Sequence, residues 1–108
     1  MWKFEVYTDK AGEFRFRLKA GNGENILASE GYSNKAGCEN GIESVRENSQ
    51  DAGKFEVTES ASGKFHFNLK AGNGQVIGTS QMYSSKSGAE NGCESVAKNA
   101  PDAEVVEG

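Results

Sequence analysis

The sequence predicts an α+β protein written as strand-strand-strand-helix twice, followed by a last strand. Three observations predict it. Sliding the chain by 51 residues lays 3–52 over 54–103 with 28 of 50 positions identical and no gap, which is internal duplication. In each copy, short runs alternate apolar and polar residues with the period of a half-buried strand. After them, apolar residues recur at helical spacing. A single copy of about 50 residues buries too little surface to fold alone. The two copies, about 1–53 and 54–108, are therefore expected to share one core within one domain over 1–108. No Gly/Ser/Pro linker separates them, since Ala52-Gly53 runs straight into Lys54-Phe55-Glu56-Val57.

The first strand is read from Phe4 and Val6 alternating with Lys3, Glu5 and Tyr7. The second is read from Phe14, Phe16 and Leu18 alternating with Arg15, Arg17 and Lys19. Between them lies Asp9-Lys10-Ala11-Gly12-Glu13, and a three-residue hairpin loop wants a left-handed residue third, which Gly12 supplies. That register pairs Val6 with Phe16 and Phe4 with Leu18, so all four share one face. Ala61-Ser62-Gly63 repeats the loop and pairs Val57 with Phe67.

The next turn is Gly21-Asn22-Gly23, repeated as Gly72-Asn73-Gly74. A two-residue Asn-Gly turn would place Leu27 inward, and a three-residue loop would place Ile26 inward. Copy two keeps the isoleucine (Ile77) but has Gly78 for Leu27. The longer loop is therefore chosen, with Ile26 and Ile77 inward.

Ser33 or Asn34 can then cap a helix by accepting from free backbone N–H groups. Cys38, Ile42 and Val45 line its apolar stripe, as do Ala89, Cys93 and Val96. The helices are expected to stop near Asn48 and Asn99, the latter just before Pro101. Gly37, Gly41, Gly88 and Gly92 fall inside them, each costing roughly 1 kcal/mol relative to Ala. Close approach of the helix to its sheet or to the other helix would offset that. The tail Ala103-Glu104-Val105-Val106-Glu107 is read as one more short strand.

These residues carry a resemblance to a known family. Phe14 to Gly23 and Phe65 to Gly74 spell F-x-F-x-L-K-A-G-N-G. Ile26 to Ser33 and Ile77 to Ser84 spell I-x-x-S-x-x-Y-S. Asn40 to Val45 spells N-G-I-E-S-V, with Cys93 replacing the isoleucine in copy two. The chain thereby resembles, over essentially its whole length, the YegP-like family of small, mostly bacterial proteins of uncharacterised function. The resemblance implies tandem β(3)-α-β units forming a single antiparallel sheet, with exchange of the strands that follow the helices. It implies both helices packed on one face, and homodimers among single-copy relatives. It carries over no activity and no functional residues.

Composition excludes several classes. There are 12 Lys/Arg and 16 Asp/Glu, for a formal charge of −4. Each copy carries −2, so the chain has no general attraction for nucleic acid or anionic membranes. No run of about 18 apolar residues exists to span a membrane. The opening MWKFEVYTDK has no apolar signal core, so a cytoplasmic location is expected. Cys38 and Cys93 match no CxxC pattern, and the single His66 has no cysteine near it, so no metal site is expected. Both cysteines fall on the apolar stripe, where cysteine acts as a small hydrophobe. No cofactor motif is present: Gly-Asn-Gly is neither GxGxxG nor GxxxxGK[ST].

Two surfaces are candidate binding sites. The outward sheet face carries Tyr7, Arg15, Arg17 and Lys19 in copy one and His66 and Lys70 in copy two. A basic stripe with an aromatic suits single-stranded nucleic acid. Against it, the register sets Glu5 opposite Arg17, an ordinary cross-strand pair. The helix starts Ser33-Asn34-Lys35 and Ser84-Ser85-Lys86 combine free N–H groups, hydroxyls and a cation, as a small-anion site does. Capping alone also explains them. Ser29 and Ser80, each three residues before a tyrosine (Tyr32, Tyr83), have no identifiable base, so no nucleophilic triad is supported. Glu39, Glu43, Glu90 and Glu94 read as an exposed acidic helical face.

The expectation is a small non-catalytic binding or interaction module, monomeric because duplication supplies what a homodimer would. Its partner is a protein or a small ligand. The alternatives are a nucleic-acid accessory using the sheet face and small-anion binding at the helix starts.

Overall fold

The computed structural model describes residues 1–107. Copy one contributes β1 (Lys3–Thr8), β2 (Phe14–Lys19), β3 (Asn25–Ala28) and α1 (Lys35–Asn48). Copy two contributes β4 (Phe55–Glu59), β5 (Phe65–Lys70), β6 (Val76–Ser80) and α2 (Lys86–Asn99), and β7 (Glu104–Glu107) closes the chain. Short 3-10 turns, Ala52–Lys54 and Ala100–Asp102, follow the helices. All seven strands form one sheet in the order β4-β5-β6-β3-β2-β1-β7.

The hairpins follow from their turn residues. The first closes with Asp9 N–H donating to the Glu13 carbonyl, with Gly12 at φ 81°. Phe4 then lies opposite Leu18 and Val6 opposite Phe16, as expected, and Val57 opposite Phe67 repeats it. The second hairpin has the longer loop: Ala20 N–H donates to the Glu24 carbonyl across residues 21–23, with Gly23 at φ 87°. A bulge then shifts the register, so Leu18 faces Leu27 while Lys19 faces Asn25. The extra residue buries Ile26 and Leu27 together, whereas simple alternation turns only Ile26 inward.

The seam between the copies is the β3–β6 pair, where Ala28 lies opposite Thr79. These two residues are 51 apart and occupy one position of the repeat. The pseudo-twofold axis of the duplication therefore passes between them. Both helices lie on one face of the sheet. α1 reaches across the seam to β5 and β6 as well as packing on β2, while α2 packs on β4 and β5. The buried cluster accordingly mixes Phe4, Phe16, Ile42 and Val45 with Phe67, Leu69, Ile77 and Val96.

Strand exchange makes the two halves unequal. The strand after α1 is β4, which crosses to the second half and pairs antiparallel with β5. The strand after α2 crosses the other way, but β1 already fills that place. β7 therefore adds outside β1, parallel to it. The sheet is antiparallel except at this one pair.

Candidate functional site

On the open sheet face, Arg15, Arg17 and Lys19 each have an acidic neighbour. Arg15 Nε binds Asp9 Oδ2 at 2.7 Å, which raises the Arg15 pKa and lowers that of Asp9, the direct hydrogen bond being the main cause. Arg15 also donates to the Ser29 carbonyl at 3.3 Å. Glu5 sits between Arg17 at 3.2 Å and Lys19 at 3.3 Å. The Arg17 guanidinium lies 4.0 Å from the centre of the Tyr7 ring. In copy two, Lys70 pairs with Glu56 at 3.2 Å, and His66 lies opposite Thr58. The sequence places these side chains together correctly, because strand alternation fixes the face. Asp9 and Glu5 offset part of this charge, Glu5 being shared by two cations while Lys3 stands opposite Lys19, so the face is partly neutralised rather than an open basic stripe.

The helix starts are capped as the residue types require. Asn34 Oδ1 accepts from Gly37 N–H at 2.7 Å, and Ser85 Oγ accepts from Gly88 N–H at 3.0 Å. Of the two proposed capping residues in copy one, Asn34 is therefore the one used. The flanking Ser33 and Ser84 are exposed. The two lysines differ. Lys35 Nζ pairs with Glu107 at 2.7 Å, which raises its pKa. Lys86 is exposed and forms no ion pair among the described residues.

The hydroxyls and thiols are committed to structure. Ser29 Oγ accepts from Phe16 N–H at 2.9 Å and donates to the Glu30 carbonyl at 2.8 Å. Ser80 repeats this with Phe67 at 2.8 Å and Gln81 at 2.7 Å. Each serine thus supplies the acceptor for one strand amide, next to the Phe14–Tyr32 and Phe65–Tyr83 backbone bridges. Tyr32 and Tyr83 stack on Phe16 and Phe67 at 6.4 and 6.2 Å between ring centres, and burial raises both phenol pKa values. Burial also raises the Cys38 thiol and pushes Cys93 up to about 11. Among the described residues no cluster of His, Cys, Asp and Glu could hold a metal, and no helix is long and apolar enough to cross a membrane.

One feature escaped the sequence reading. A groove of ≈ 570 Å³ lies between β4 and α2, with Phe55, Val57, Cys93 and Ala97 as its apolar lining and Ser87, Glu90, Asn91 and Glu94 as its polar lining from α2. The signal was there in the strand count. Three strands plus three plus one is odd, so one edge of the duplicated sheet must lack what the other has.

Comparison with known proteins agrees with this architecture. The model of the family described as "Domain of unknown function (DUF1508)" matches twice, over residues 9–56 and 60–107. Each match ends on an exchanged strand, the first in β4 and the second in β7. The chain is 62% identical over 104 residues to the UPF0339 protein in the ptx operon 5′ region of Stutzerimonas stutzeri, covering 96% of this chain and 94% of that one. It is 50% identical over 96 residues to the UPF0339 protein YegP of Escherichia coli K12, covering 89% and 87%. The solution structure of E. coli YegP, described as a protein of unknown function, superposes with a TM-score of 0.92 at 46% identity, covering 98% and 91%. That of a Shewanella oneidensis UPF0339 protein gives 0.91 at 44% identity, covering 98% and 90%.

Proposed function

The chain belongs to the DUF1508 family in its tandem-repeat form, and from that premise we propose that it is a small non-catalytic binding module that works as a monomer. The observation that carries this reading is the state of its reactive-looking groups. A nucleophile needs a free lone pair and a neighbouring base. The Ser29 hydroxyl accepts from Phe16 N–H and gives its proton to the Glu30 carbonyl, which is no base. Cys93, held near 11, is protonated at neutral pH and so a poor nucleophile. What the surface offers instead is a sheet face laced with ion pairs and a groove with an apolar floor, both of which suit recognition.

The monomer part follows from the internal axis at Ala28 and Thr79. One chain already holds both halves of the pseudo-dimer, so no second copy is needed to complete the core.

Nucleic acid is the weaker reading of the sheet face. A strand bound there would have to displace Asp9 from Arg15 and Glu5 from Arg17 and Lys19. The test is affinity capture with the tagged full chain, with and without nuclease, alongside a panel of ester, phosphate and peptide substrates. A nuclease-resistant stoichiometric partner and no turnover are expected. Saturable turnover that scales with the purified protein would overturn the non-catalytic reading. Capture lost on nuclease treatment would move the function to nucleic acid.

A further inference from the structure

The two halves of the molecule use the same residues under different cover. In copy one, β7 lies along β1 with Val105 beside Phe4 and Glu107 beside Val6. Glu107 pairs with Lys35 at the start of α1, and Arg46 near its end donates to the Ala103 carbonyl at 2.7 Å. Beneath this strand Phe4, Val6 and Ile42 are 0%, 3% and 1% exposed. Fifty-one residues on, the counterparts are Phe55, Val57 and Cys93, and all three are only half-buried. They form the floor of the open β4–α2 groove, whose α2 wall carries Glu90 and Glu94, just as Glu39 and Glu43 border Val105 in copy one. Where β7 lies against α1, the space left between them is ≈ 250 Å³, bordered by Val105 itself.

The backbone at this edge is also open. β4 is the last strand on its side of the sheet. The Ser60 N–H to Lys64 carbonyl bond closes its hairpin. Antiparallel alternation then directs the backbone of Glu56 and Thr58 to β5, and that of Val57 and Glu59 outward. Lys86, the counterpart of the Lys35 that grips Glu107, directly precedes the groove-lining Ser87 and has no ionic partner among the described residues.

We propose that the β4–α2 groove takes an extended segment of a partner protein, carrying one carboxylate at its end, by strand addition parallel to β4, as β7 lies along β1. This deepens the binding-module reading and rests on it. The seat of β7 supplies the rule for the occupant. It carries an apolar side chain beside Phe55, over Cys93. Two residues later it carries a carboxylate beside Val57, facing Lys86. The motif is apolar-x-acidic. Copy two has Ala97 where copy one has Arg46, so the start of the segment is not clamped and the carboxylate end sets the register. The β7 of a second copy is disfavoured as occupant, because moving it would uncover Phe4 and Val6 of its own chain.

The test is a titration of the isotope-labelled full chain with an acetylated peptide of the sequence of residues 100–107, followed by amide shifts. The expected result is saturating change confined to β4 and the groove face of α2. Lys86→Glu should weaken binding about 3–10-fold, and a peptide with lysine for its last glutamate should lose a similar factor. Val57→Pro, which removes an outward amide that β5 does not use, should abolish it. Lys86→Glu changes only an exposed side chain, so the test stands even if Val57→Pro fails to fold. Absence of shifts up to about 2 mM peptide, a dissociation constant too weak to matter, would overturn the proposal. So would shifts on β1 and α1, which would mean exchange with β7. Concentration-dependent self-association protecting β4 would make a second copy the occupant and overturn it too. None of these bears on turnover, so the non-catalytic reading fails or stands separately.

Discussion

The Tyr32 ring lies across Gly41, closing the entry of α1 onto the sheet. A Cβ placed on Gly41 would run into the Tyr32 hydroxyl and come within 3.1 Å of Phe16 Cε2. Copy two repeats the relationship, with the Tyr83 hydroxyl 2.5 Å and Phe67 Cε2 2.9 Å from a Cβ on Gly92. These two glycines are the price of letting a stacked Phe–Tyr pair sit under each helix. Helix propensity favours alanine at these sites by roughly 1 kcal/mol, so their presence marks a contact that outweighs it.

Gly41→Ala should therefore destabilise the fold by about 1–3 kcal/mol, the usual cost of overpacking. A urea denaturation series measures it. A double-mutant cycle with Tyr32→Ala should show strong coupling, because the truncated ring no longer meets the new methyl. Additive effects would mean that Gly41 is needed for another reason.

Ser29→Ala leaves the Phe16 N–H buried without its acceptor. The expected loss is about 1–3 kcal/mol. Ser80→Ala removes the same bond to Phe67, but Ser80 is half-exposed where Ser29 is 6% exposed. Water can replace the lost hydroxyl there, so thermal unfolding should show the smaller effect for Ser80→Ala.

Stability should fall in alkali from about pH 9 upward. The thiols ionise ordinarily at 9.0 and the phenols at 10.0, and burial raises Cys38, Cys93, Tyr32 and Tyr83 above those values. Between the unfolded and folded pKa values the unfolded chain has lost protons that the folded chain keeps. Stability is thus complete below pH 9 and is lost as pH rises through the folded values. For Cys93 the window ends at about 11. Cys93→Ile, which installs the copy-one residue, should flatten that part of the profile in pH-dependent urea melts.

A chain ending at Asp102 lacks β7 and leaves β1 with a bare edge. Phe4, Val6 and Ile42 then acquire the half-burial of Phe55, Val57 and Cys93. Exposing part of three apolar side chains should cost about 1–3 kcal/mol. Hydrogen exchange should quicken at the β1 amides that face β7. Equal exchange in the two chains would show that β7 contributes little cover.

Much of this protein was legible in its residues. Duplication at an offset of 51, strand alternation in Phe4–Val6 and Phe14–Leu18, and glycines at 12 and 23 predicted the strands and the first hairpin pairing. Each of these is a local property: a period of two, a positive φ, a cap within three residues. The candidate sheet face was legible for the same reason, since alternation alone puts Arg15, Arg17 and Lys19 together. The Glu5–Arg17 pair was legible from the hairpin register, whereas only the tertiary structure decided that Asp9 takes Arg15 and that Glu5 also reaches Lys19. Tertiary packing also decided the bulge that buries Ile26 with Leu27, since Leu27 fills the space over Gly78. The deepest difference lies in the halves. By itself the sequence determined two copies of one motif, identical at 28 of 50 positions. The fold made them unequal, because a strand leaving α2 finds β1 already in its place and must add outside it. One edge is thereby covered and the other left open, a consequence of chain connectivity that no window of sequence contains.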